Sequence, residues 1–73
     1  MSDEPKATSL RLTVHQLELL KDEVKATDDV ARAARREGSL PAEEADEIRG
    51  VAEWVSGRVD GLIARIEAQI PPE

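Results

Sequence analysis

His15 is the one histidine of this 73-residue chain, and Glu18 follows it by one helical turn. An imidazole and a carboxylate at that spacing share a helix face, and each can offer one ligand to a divalent metal. A tetrahedral site needs two more, which a second subunit would have to bring. A solvated histidine near a helix cap needs none of those further ligands and is the favoured reading of His15, so no metal is expected. The chain has no cysteine, which removes thiolate ligands and disulfides alike. Ser2, Ser9, Ser39 and Ser56 fall on tails, a turn or the opposite helix face, so none is placed to be a nucleophile activated by His15.

Two further charge clusters could suggest chemistry. Glu43, Glu44, Asp46 and Glu47 crowd the start of one segment, and Arg32, Arg35 and Arg36 crowd the end of the one before it. Paired acids hydrolyse bonds only when a cleft perturbs their acidity. Here both clusters complement helix dipoles and face each other across a turn. The acids also neutralise the arginines as a phosphate patch. With no nucleophile, metal cluster or phosphate loop, the expectation is a non-enzyme with no catalytic residue and no cofactor.

The elements carrying these residues follow from hydrophobic spacing. Steps of four and three run Thr13, Leu17, Leu20, Val24, Thr27, Ala31, Ala34; beyond Gly38 they run Ala45, Ile48, Ala52, Val55, Val59, Leu62, Ile66. The two ladders mirror each other about the glycine, Ala34 meeting Ala45 and Thr13 meeting Ile66. That is the register of an antiparallel, coiled-coil-like two-helix hairpin, all-α in class. Flanking positions agree: Glu23 faces Arg58, Asp28 faces Arg49, Val30 faces Val51 and Val14 faces Ile63.

Local signals set the expected boundaries. Thr13-Val14-His15-Gln16 fits a capping box and starts helix 1 at about 14, leaving residues 1–12 as a flexible tail or arm. Arg35 and Arg36 followed by Gly38 close that helix at about 37, and Thr27-Asp28-Asp29 is read through rather than as a break. Pro41 opens helix 2 at its first position, and the helix runs to about 69 before Ile70-Pro71-Pro72. The hairpin spans 13–70 and the C-terminal tail 71–73.

Net charge is −6, spread along both helices, so affinity for anionic membranes or nucleic acid is not expected. The polar opening residues lack an apolar run, which gives the expectation of a cytoplasmic protein without signal or anchor. Arginine exceeds lysine, alanine is abundant and Phe and Tyr are missing, a usage that suggests a bacterial or phage source.

A second stripe lies on each helix away from the seam: Leu12, Leu19, Ala26, Val30 and Ala33 on helix 1, and Gly50, Val51, Trp54, Gly57 and Gly61 on helix 2. The seam gives the glycines no role, and each costs about 1 kcal/mol relative to alanine inside a helix. Beside Trp54, the sole aromatic, they would make a trough for another helix. Because the helices run in opposite directions, both stripes, about 125° back from their seams, are expected to emerge on one face, so that the hairpin pairs as a four-helix-bundle homodimer. The expected function is protein–protein interaction: self-association plus a protein partner, as an adaptor, inhibitor or antitoxin-like regulator. In architecture this resembles known helical-hairpin dimers, among them a small plasmid copy-number regulator that binds RNA loop pairs. No diagnostic motif of that family is present.

The alternative is a small DNA- or RNA-binding regulator. Ser9-Leu10-Arg11-Leu12-Thr13 alternates like a short strand before a helix, with Ser9, Arg11 and Thr13 on one side. This is similar to the opening of ribbon-helix-helix repressors, which place such a ribbon in the major groove. The Gly38-Ser39-Leu40-Pro41 loop then interrupts the place where their second helix would run.

Overall fold

Gly38 carries the reversal of the chain. In the computed structural model, which describes residues 3–71, it sits at φ +82° and is the only described residue with positive φ. Its N–H donates to Arg35 O at 3.0 Å, and the Ser39 N–H donates to Ala34 O at 2.9 Å. These two bonds satisfy the last carbonyls of helix α1 (Asp3–Glu37) in the manner expected of a glycine closure. Helix α2 (Ala42–Glu67) begins directly after Pro41, whose extended backbone caps the helix from just outside it. The proline therefore precedes the first helical position, and its carbonyl accepts the Ala45 N–H at 3.1 Å. At the far end the Gln69 and Ile70 amides fold back onto Ile66 and Glu67, so α2 stops two residues short of the expected 69.

The start of α1 differs more. Residues 3–12 are helical, not a tail, and Thr13 caps nothing. Its hydroxyl donates instead to Ser9 O, 2.8 Å away, one turn back inside the same helix. Pro5 falls in the first turn, where no N–H donor is needed. Ala7 is buried and Leu10 half-buried, so the inward spacing continues two steps upstream of the expected start. Helix 1 is also unbroken at Thr27, whose hydroxyl donates to Glu23 O at 2.9 Å.

The two helices pack against each other as an antiparallel hairpin, with no strand among the described residues. On α1 the inward positions are Ala7, Leu10, Val14, Leu17, Lys21, Val24, Asp28 and Ala31; on α2 they are Ala45, Ile48, Ala52, Val55, Val59, Ile63 and Ile66. Most of the expected α2 ladder is therefore inward, but α1 is turned by roughly 50° about its axis relative to expectation. Thr13, Leu20 and Thr27 leave the seam, and Val14, Lys21 and Asp28 take their places. On α2, Ile63 replaces Leu62. Leu20 is 47% exposed and Leu62 40%.

The charged seam residues are tolerated because each has a partner. Lys21 Nζ lies 2.6 Å from Asp60 Oδ1 across the hairpin, a hydrogen bond and charge that hold its ammonium above the ordinary lysine value. Asp28 Oδ2 accepts from Arg32 Nη2 at 2.7 Å and Nε at 3.2 Å, which raises the arginine further. Asp28 Oδ1 is buried without a partner. Lys21–Asp60 and Arg35–Asp46 share one register, two residues beyond the expected layers. Side chains lean toward the N-terminus of their own helix, and in an antiparallel pair the two leans add to that offset. Of the flanking pairs, Val14 and Ile63 moved into the seam. Asp28 bonds Arg32, Arg49 bonds Glu53 at 3.5 Å, and Arg58 stacks over Trp54 with its guanidinium 5.9 Å from the ring centroid.

Alanines at 7, 31, 45 and 52 let the backbones approach, but they bury little apolar surface. Among the described residues no buried side chain is larger than valine. The hairpin measures 57 × 15 × 13 Å, and such a core leaves a lone chain near the margin of stability.

Candidate interaction face

Turning α1 divides the hairpin into two unlike sides. One groove between the helices is polar: Lys21, Asp22, Lys25, Asp28 and Arg32 face Arg49, Glu53, Ser56 and Asp60. The other is apolar, formed by Val24 and Thr27 from α1 and by Ile48, Val51, Ala52 and Val55 from α2, with Glu47 at its edge. Leu20 stands one turn before Val24 on the same edge of α1, and Leu62 two turns beyond Val55 on the same edge of α2. These two leucines, moved out of the seam, extend the apolar groove into a strip along the hairpin.

The stripes expected from the sequence are placed differently. With the observed seam, Leu12, Leu19 and Ala26 lie about 180° from it, on the outer back of α1, while Val30 lies about 130° from it, in line with Gln16 and Glu23 on the side of the apolar groove. Gly50, Trp54, Gly57 and Gly61 lie on the outer back of α2, so the structure does not bring the two stripes onto one face. Of the stripe residues, Val51 lines the apolar groove and Val30 stands on its outer edge. Leu12 is 59% exposed, Val30 69% and Trp54 66%, and Leu19 and Ala26 are also exposed. The residues that sequence reasoning missed as surface are Leu20 and Leu62, while Val24, Ile48 and Val55, inward as expected, also line the groove. Their signal was present in the ladders themselves, where apolar positions span too wide an arc for one partner helix to cover.

A Cβ added at Gly50, Gly57 or Gly61 would meet nothing within 4 Å. Gly61→Ala is therefore expected to stabilise α2 by about 1 kcal/mol and to raise the thermal midpoint by several degrees. Circular dichroism melts check this; a lower midpoint would mean that the position packs closely against another chain.

Ser9, Arg11 and Thr13 lie inside α1, so the ribbon needed by the repressor-like arrangement is not formed. His15 is exposed. Among the described residues no group of three or more His, Cys, Asp or Glu side chains converges as a metal site. No described helix is long and apolar enough to cross a membrane. The chain matches no protein family model, no curated protein and no solved structure.

Proposed function

We propose that this is a non-enzymatic protein that acts through protein–protein contact. It self-associates as a homodimer and binds a further protein, as an adaptor, inhibitor or antitoxin-like regulator in the cytoplasm. The observation that supports this reading is an inversion of the usual economy of a small fold. Valine and alanine make up the buried apolar core, while Leu12, Leu19, Leu20, Val30, Val51, Trp54 and Leu62 are 40–69% exposed. Scattered apolar surface is ordinary, but an apolar strip along a chain with so thin a core marks a surface that is covered in use.

Self-association is the part open to direct measurement, because a ligand that binds only the folded state stabilises it by mass action, and here the ligand is a second copy. The expected result is a dimer in sedimentation equilibrium at tens of micromolar, with a thermal midpoint that rises with concentration. A monomer throughout, melting at one temperature on dilution, overturns the proposal. The partner surface is assigned to the outer back of α2, where the Arg58 guanidinium stacked on Trp54 presents a flat, amphipathic patch suited to anchoring another protein.

A further inference from the structure

The geometry points to a specific dimer: two hairpins packed apolar groove to apolar groove about a twofold axis parallel to the helices, with both Gly38 turns at the same end. This inference rests on the self-association proposed above and adds its face, its orientation and its cross-chain contacts.

The occupant of the groove is argued from the edges that flank it. On α1 the outer edge carries Gln16, Glu23 and Val30, seven residues apart; on α2 it carries Val51, Arg58 and Arg65, also seven apart. All six are exposed in the hairpin, and each edge is the complement of the other. A lengthwise twofold axis sets α1 of one copy against α2 of the second, antiparallel as in the hairpin itself. Applying the offset that joins Lys21 to Asp60 brings Glu23 level with Arg58, Gln16 with Arg65 and Val30 with Val51. Symmetry makes each of these contacts twice. Acid meets base, amide meets guanidinium and valine meets valine, so the surface best matched to this groove is the same surface on a second copy.

A crosswise axis would set like helix against like. Centred on the groove, that arrangement brings Glu23 to Val30 and Arg58 to Val51, and its one opposite-charge match is Glu44 with Arg65. The lengthwise axis has one unfavourable meeting, Glu37 with Glu44, placed beside Arg35 and Arg36 at the turn. It also keeps every layer of both hairpins in step, so the whole strip from Leu20 to Val51 is covered. The area is sufficient. Along the 26 residues of α2 the two-helix face is about 39 Å long and 15 Å wide, a footprint on the order of 600 Å², at the lower end of what each side of a stable interface buries.

Since the native chain has no cysteine, Ser39→Cys places a single nitroxide in the exposed turn, and pulsed dipolar spectroscopy reads the label-to-label distance in the dimer. Helices spaced at bundle distances put two turns at one end about 10–15 Å apart, and their labels within roughly 15–30 Å of each other. A crosswise dimer, centred midway between Glu23 and Val30, leaves each turn about 12 residues from the axis and separates the labels by roughly 35–50 Å. The short distance is expected. The long distance overturns the orientation and leaves self-association standing, whereas no dipolar coupling at any concentration overturns both.

A charge exchange gives a second, independent reading. Glu23→Arg sets like charges together twice per dimer and is expected to weaken association about tenfold or more. The double variant Glu23→Arg/Arg58→Glu is expected to return to within about threefold of the native constant. Helix content of the single variants at saturating concentration separates lost association from lost folding. A double variant no tighter than Glu23→Arg alone overturns the assigned contact.

Discussion

Val59→Asp is expected to leave the chain largely unfolded at 25 °C, with the circular dichroism of a disordered polypeptide across the micromolar range. Val59 is 4% exposed, the most buried side chain of the seam, and the register that joins Lys21 to Asp60 sets it level with α1 between Lys21 and Val24. A carboxylate there loses its hydration, and Lys21, the nearest cation, already serves Asp60. An unpaired buried charge costs several kcal/mol, whereas a core of this size supplies only about 3–5 kcal/mol in total. The first number exceeds or equals the second, so the outcome is unfolding rather than a small shift in midpoint. Glu53→Asp, on an exposed position of the same helix, should melt close to the native chain. If Val59→Asp kept native helix content and midpoint, the assigned seam would be wrong.

Leu62→Asp, one turn further along α2 on the apolar strip, should fail differently. The site is wet enough in the lone hairpin to accept a charge, so helix should persist at low temperature. Association should weaken by a hundredfold or more, about 3 kcal/mol, because the dimer would have to desolvate two carboxylates in its centre. Leu19→Asp provides the contrast. Leu19 is about as exposed as Leu62, 44% against 40%, but lies on the back of α1, and its replacement should leave the dimer intact. Sedimentation of the three chains decides between the faces. Equal weakening by both variants would mean that assembly runs over the outer backs, and weakening by Leu19→Asp alone would exclude the groove.

The contrast between Leu19 and Leu62 shows what was legible in the sequence. The hairpin itself was, because Gly38, Pro41 and the mirrored ladders are local signals whose physics involves neighbours within one turn of chain. The continuity of α1 through Thr27 was legible for the same reason. The start of α1 was not, since Thr13 has the chemistry of a cap and also of a hydroxyl that bonds back to its own helix; only the inward spacing of Ala7 and Leu10 separates the two uses. The seam on α1 was misplaced because its ladder admitted only apolar residues and threonine, a choice that leaves every charged residue outside. Lys21 and Asp28 sit inside by finding Asp60 and Arg32, and pairing across space does not show in a periodicity. The shift also changes where the stripes on α1 stand, because every stripe on a helix is located relative to the edge that is buried.

The turn at Gly38 also orders events in time. Every contact between the helices encloses the same four-residue connection between Glu37 and Ala42, so the contacts are nested. Arg35 and Asp46 are 11 residues apart in sequence, while Lys21 and Asp60 are 39 apart. Closing the larger loop directly would cost roughly 1 kcal/mol more chain entropy than closing the smaller. Closing it after the inner pair costs almost none of that difference, because each new layer adds only a short segment on either side. Folding can therefore run as a zipper outward from the glycine, fast for its length because no contact must wait for a long, open loop to close. The opposite end, where α1 begins, is the last to join and the first to open.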